Sequence, residues 1–157
     1  MEEKYGCFSN WYTRVFVVDG QEYRFVEQYM MDEKAKLFHD EERYADILRA
    51  THPRECKALG RQVKPFDAKV LGAARYEIVK TASRAKFEQN PELMAKLLET
   101  GEAVLAEASP KDMLWGIGLD RAAAADTNPA KWPGRNLLGR ILMELRAEFA
   151  GKKASST

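Results

Sequence analysis

The run from Glu27 to Phe38 constrains this chain most, because as a helix it must carry charge on its apolar side. At about 100° per residue, Glu27, Met31, Lys34 and Phe38 fall within about 60° of one another, with Met30 and Leu37 beside them. Gln28, Tyr29, Asp32, Glu33, Lys36 and His39 take the opposite side. A carboxylate and an ammonium on a core-facing stripe are expensive unless paired, solvated in a pocket, or used. Two readings follow. In one, Glu27 and Lys34 form a structural ion pair, or Lys34 packs its stem and keeps its head wet. In the other, both heads line a cleft floored by this helix.

The segments around it are punctuated plainly. Val15-Phe16-Val17-Val18 and Glu22-Tyr23-Arg24-Phe25 flank Asp19-Gly20, a strong hairpin signal. Further helices are expected over Asp40 to Ala50, after Thr51-His52-Pro53, over Phe66 to Gln89, and after Asn90-Pro91. The stripe of the long one is Leu71, Ala74, Ile78, Ala82 and Ala85. Val104 to Ala108 reads as a short strand paired with the hairpin. Arg121 to Arg135 reads as a long loop, of the kind that is often functional. The last helix, capped by Asn136, shows Leu137, Leu138, Ile141, Leu142, Leu145 and Phe149 on one side. Gly139 on its first turn implies that something packs close. The expected class is α+β, mainly α-helical, with one small hairpin-containing sheet in a single compact domain over 1–150. Residues 151–157 read as a disordered tail.

Composition narrows function by exclusion. At net charge +1, no global field draws the chain to nucleic acid or anionic membrane, so polyanion contact would need a local patch. Met1-Glu2-Glu3-Lys4 is no signal peptide, and no apolar run is long enough to span a bilayer. Cys7 and Cys56 make no metal or redox spacing, His39 and His52 match no zinc pattern, and a reducing cytoplasm is the expected compartment. Neither metal nor cofactor is expected. Phosphate-binding glycine fingerprints and nucleophile elbows are absent from the sequence. What remains are polar residues at element ends: Ser9 and Asn10, Glu27 and Lys34, Arg61 and Lys64, Asp112 and Trp115, and Asn136. Carboxylates with a nearby cation and a stacking aromatic suit N-glycosidic cleavage. That reaction needs charge stabilisation on the sugar, a proton for the leaving base, and a water or nucleophile.

The same residues carry a resemblance. Phe8-Ser9-Asn10, Val17-Val18-Asp19-Gly20, Glu27-Gln28-Tyr29-Met30-Met31 with Lys34-Ala35, and Ala58-Leu59-Gly60-Arg61 occur in order. Lys86-Phe87 with Asn90-Pro91-Glu92-Leu93, Glu107-Ala108-Ser109-Pro110-x-Asp112, Trp115-Gly116-Ile117-Gly118-Leu119 and Trp132-x-Gly134-x-Asn136-Leu137-Leu138-Gly139 follow. Together the set resembles the NADAR/YbiA-like family. The resemblance implies a compact, mostly helical fold and N-glycosidase activity. One branch removes ADP-ribose from guanine in DNA, reversing a modification that is often a toxin's product. Another cleaves ribosylamino intermediates of riboflavin synthesis. The Trp-Gly-Ile-Gly-Leu run and the long segment before Trp132 look more like the ADP-ribose branch.

Carried across, the likeness makes Glu27, Lys34 and Asp112 the catalytic set. Ser9, Asn10, Arg61, Trp115, Gly116, Gly118, Asn136 and Gly139 become substrate contacts, and Lys64, the cation near Arg61, is expected to join Arg61 on the diphosphate. The implied partner is ADP-ribosylated guanine in DNA, or a small ribosylamino nucleotide, rather than a toxin itself or a membrane. Two mechanisms are open: Lys34 attacks the anomeric carbon through a Schiff base, or a carboxylate activates water while Lys34 stays charged. Burial would lower the Lys34 pKa and a close Glu27 would raise it. A non-catalytic ADP-ribose-binding module is the competing class.

Overall fold

The computed structural model describes residues 4–155, apart from the side chain of Ala154. The start of the Met1-Glu2-Glu3-Lys4 stretch and the end of the expected tail lie outside the described residues. The architecture is α+β and mainly helical. β1 (Phe16–Val18) and β2 (Gln21–Tyr23) form an antiparallel hairpin with Val17 opposite Glu22. Asp19 and Gly20 both take positive φ, 49° and 79°, which is the backbone that a tight two-residue turn requires. Then come α1 (Val26–Leu37), α2 (Glu41–Arg49), α3 (Pro53–Gly60), α4 (Ala68–Glu88), α5 (Pro91–Glu99), α6 (Arg121–Ala125) and α7 (Leu137–Ser155). The chain divides after Met94 into two compact units.

In the first unit the helices are cut where the sequence provides caps. Asp40 accepts from Arg43 N–H to start α2, the His52 ring nitrogen accepts from Arg54 N–H to start α3, and Asp67 accepts from two amides of α4. α1 packs against α2, α3 and α4. A core of Phe25, Ala35, Phe38, Ile47, Ala50, Cys56 and Val63 lies among these elements. Gly60 lets α3 come close, since a Cβ there would stand 2.0 Å from Met31 Sδ.

Surrounded on several sides, α1 buries more than the expected stripe. Glu27 and Phe38 are buried and Met31 and Lys34 half-buried, but Leu37 is exposed, while Gln28, Tyr29 and Asp32 are buried. The sequence placed those last three on the solvent side. Hydropathy misplaces Gln28 and Asp32 because distant groups bond to them. Gln28 donates to the carbonyls of Ile47 (3.0 Å) and Ala50 (3.3 Å) and accepts from Arg24 N–H (2.8 Å). Asp32 accepts from Tyr23 O–H at 2.5 Å and pairs with Lys36 at 3.4 Å.

α4 is offset likewise. Its buried residues are Val79, Ala82, Ser83, Lys86 and Phe87, whereas Leu71, Ala74, Ile78 and Ala85 are half-buried.

Tyr23→Phe tests the buried pair. Burial pushes the Asp32 carboxyl upward, and the Tyr23 and Lys36 contacts hold it down. A carboxyl raised by folding favours the folded state in acid and loses that contribution as pH climbs through its folded pKa. Without Tyr23 the loss at neutral pH should be about 2 kcal/mol. It should shrink in acid, where protonated Asp32 needs no donor. Urea unfolding at both pH values checks this, and an equal loss at both would exclude a charge-assisted bond.

The second unit corrects two further expectations. Val104 to Ala108 is irregular and joins no sheet; the only sheet among the described residues is β1–β2. Side-chain bonds hold the segment in place of a ladder, as described below. Arg121 to Arg135 is not all loop. Asp120 caps α6 through Ala123 N–H, and Asn128 caps a 3-10 turn at Pro129–Lys131. The stripe of α7 is buried as expected. The helix runs past Gly151 to Ser155, so the described part of the expected tail is helical. Lys152 and Lys153 in the last turn suit the helix dipole, and Lys152 pairs with Glu148 one turn back at 3.8 Å.

Candidate active site

In the first unit the site grows from α1. Phe25 takes extended backbone just before the helix, so the first-turn amides have no partner inside it. Glu27 N–H finds one in the Asn10 carbonyl, at 3.0 Å. The Glu27 side chain is buried, and as a first-turn acid it suits the positive end of the helix dipole. Burial and the nearby Glu27 carboxylate together push the Cys56 thiol up to about 12, which makes that cysteine an inert core group.

Two turns on, Lys34 is half-buried, and its Nζ lies 4.6 Å from the centroid of the Phe66 ring. Phe66 is exposed and stands edge-on against Phe38, with ring centroids 5.5 Å apart. Burial lowers the Lys34 pKa, and no acid raises it back. The opposition between burial and a Glu27 charge therefore resolves toward a more readily neutral amine.

The segment from Gly60 to Phe66 crosses this part of α1, with Gly60 against Met31 and Phe66 over Lys34. Arg61 and Lys64 lie between those two contacts, and both are exposed. Arg61 is the C-cap residue of α3, and Lys64 N–H donates to the Asp40 carboxylate at 2.9 Å. Ser9 Oγ accepts from Trp11 N–H at 3.1 Å. Asn10 is buried, and its Oδ1 has no partner.

In the second unit, three irregular segments run side by side. Ile117 N–H donates to the Glu107 carbonyl (2.9 Å), Gly134 N–H to Ile117 (2.7 Å) and Asn136 N–H to Gly116 (2.9 Å). Asp112 is occupied by this scaffold: one of its carboxylate oxygens accepts from Leu114 and Trp115 N–H at 3.0 and 2.8 Å. Asn136 is not a side-chain cap of α7. It takes positive φ, its Nδ2 donates to the Leu105 carbonyl (2.9 Å), and its Oδ1 accepts from Glu107 N–H (3.1 Å). Gly116 and Gly118 lie in the same weave, and Gly139 faces the Leu105 carbonyl. Trp115 is half-exposed.

Two groups here escaped the sequence reading. Glu107 has its carboxyl raised, first by burial and then by the Asp112 charge. Trp132 buries its indole N–H without a partner. Each lies in a motif of the resemblance, Glu107 with Asp112 and Trp132 with Asn136, and that shared motif was the available signal. Among the described residues no cluster of His, Cys, Asp and Glu could hold a metal ion, and no helix is long and apolar enough to cross a membrane.

Comparison with known proteins adds a consistent set of likenesses. The family model described as the NADAR domain matches residues 1–150, spanning both units. N-glycosidase R617 of Acanthamoeba polyphaga mimivirus is 42% identical over 146 residues, covering 90% of this chain and 86% of that protein. Riboflavin biosynthesis protein VVA0006 of Vibrio vulnificus (strain YJ016) is 33% identical over 94% of this chain but only 36% of its own length. The NMR structure of the Escherichia coli protein YbiA matches with a TM-score of 0.79 at 34% identity, covering 97% of this chain and 82% of that one.

Proposed function

Since the chain belongs to the NADAR domain family and is an N-glycosidase, we propose that it removes ADP-ribose from guanine bases of modified DNA. The observation that carries this reading is the Lys34 amine: half-buried, lowered by burial, and flanked by a segment bearing Arg61 and Lys64. A neutral amine is a nucleophile, and exposed guanidinium and ammonium groups suit a diphosphate.

In the Schiff-base mechanism Lys34 Nζ bonds to the anomeric carbon as the bond from that carbon to the base breaks. Glu27 takes the proton lost by the amine and passes it to the departing base. The sugar ring then opens as the remaining N–H proton moves to the ring oxygen, giving an imine. Water hydrolyses the imine, releasing the sugar and restoring Lys34. In the second unit, Trp115 is proposed to stack on a base. Asp112, one of whose carboxylate oxygens accepts from two backbone amides, is proposed to keep the proton-moving role that the likeness gives it. The proposed compartment is a reducing cytoplasm, in keeping with the free, buried Cys7 and Cys56.

A second reading, cleavage of ribosylamino-pyrimidine phosphates, is favoured by the relative named for riboflavin biosynthesis. The test is a direct comparison. The protein is incubated with an ADP-ribosylated-guanine oligonucleotide and, separately, with a ribosylamino-pyrimidine phosphate. Release of ADP-ribose with intact guanine in the DNA is expected. Turnover of the pyrimidine alone would move the function to the second reading. Borohydride added during turnover should trap a covalent adduct that is missing in Lys34→Ala; turnover without an adduct would favour activated water.

A further inference from the structure

Lys86 has no part in the chemistry above, yet it is a costly residue for its position. It is 1% exposed on the buried face of α4, where an aliphatic side chain would be cheaper. Its ammonium donates to the Ser9 carbonyl at 3.0 Å and lies 5.5 Å from the Tyr12 ring centroid and 5.6 Å from that of Phe87. Burial brings the amine down to about 8, with the Cys7 thiol acting weakly the other way. A buried cation held by one carbonyl and two ring faces contributes little to stability alone.

What it holds is informative. Ser9 is followed by Asn10, whose carbonyl accepts the N–H of Glu27. Adjacent carbonyls of one turn therefore face two ways, one to the Lys86 ammonium and the next to the first turn of α1. Further ties anchor the same end of α4 to residues 14–17. Asn90 donates to the Val15 carbonyl (3.2 Å) and accepts from Arg14 (2.8 Å), and Gln89 makes a two-way bond with the Val17 backbone at 2.7 Å each. The Ser9–Asn10 turn is thus pinned from α4 and in turn sets where α1 begins.

We propose that Lys86 is a positioning residue: through the Ser9 carbonyl its buried ammonium fixes the Ser9–Asn10 turn against the start of α1, and so sets where the Glu27 carboxylate stands for N-glycosidic cleavage. The inference rests on the role given to Glu27 in the proposed function.

The test is a kinetic cycle of Lys86→Met, Glu27→Gln and the double variant. It is run on the ADP-ribosylated-guanine oligonucleotide, or on the ribosylamino-pyrimidine phosphate if that is the compound cleaved. Methionine keeps the unbranched stem and removes the charge. Lys86→Met should lower kcat about tenfold or more while KM stays within about threefold, as expected for a displaced reacting group. In the Glu27→Gln background the same change should alter kcat less than about twofold, because a carboxylate that is gone cannot be misplaced. Additive losses, or a lower melting temperature with wild-type kcat, would overturn the inference and leave Lys86 as a packing residue. If Lys86→Met does not fold, Lys86→Gln enters the cycle; failure of both to fold assigns Lys86 to folding alone and also overturns it. A fully active Glu27→Gln would instead sink the Glu27 reading itself, which separates the two failures.

Discussion

Lys34→Ala should lose at least about three orders of magnitude in kcat, the scale seen when a nucleophile is removed, while keeping its fold and its affinity for substrate. The side chain is half-buried on α1, with the Phe66 ring at 4.6 Å as its contact, so truncation should cost no more than about 1 kcal/mol of stability. Binding should survive because the proposed diphosphate contacts belong to Arg61 and Lys64.

The sign of the pH dependence follows from the shift. Folding lowers the Lys34 pKa, and the neutral form is the reactive one, so kcat should rise with pH and level off below the ordinary lysine range. Lys34→Arg separates the mechanisms. Arginine keeps the cation but does not deprotonate, so a nucleophilic role predicts an enzyme as dead as the alanine variant. A charge that merely holds oxygen atoms predicts partial activity and no rising limb. Single-turnover rates and equilibrium binding of both variants decide the matter.

Local chemistry made much of the fold readable. Asp19-Gly20 supplies two residues that accept positive φ, and Asp40, His52-Pro53 and Asp67 start helices by bonding their own neighbours. The stripe of α7 is readable because its buried side is all apolar. Elsewhere the buried side was polar. Gln28 and Asp32 on α1, and Ser83 and Lys86 on α4, look like solvent residues until their distant partners are in place. Those partners include the Tyr23 hydroxyl, the Ile47 and Ala50 carbonyls and the Ser9 carbonyl. No period in a sequence reports a bond to a carbonyl dozens of residues away.

The site divides along the same line. Glu27 and Lys34 stood out because their charge breaks an apolar stripe. Asp112 and Asn136 matched a motif, and in the structure both also hold backbone in place. Glu107 and Lys86 gained interest only once burial was known.

Gly139 is where these two meanings of a motif residue can be told apart. A Cβ added there would stand 2.2 Å from the Leu105 carbonyl oxygen and 2.3 Å from Asn136 Nδ2. Neither is the loose end of a flexible side chain, because these two groups are hydrogen-bonded to each other at 2.9 Å. Making room would break a bond that helps hold the irregular 105–109 segment. Gly139→Ala would gain about 1 kcal/mol of helix propensity, and overpacking at such a pinned contact should cost about 3 kcal/mol or more. The second term wins, so a net loss of about 2 kcal/mol is expected, lowering the melting temperature by about 5 °C for a chain of this size. A packing role further requires that the folded fraction at low temperature bind substrate with near wild-type KM. An unchanged melting temperature with a raised KM would mean the opposite: Gly139 is open so that substrate can approach the backbone.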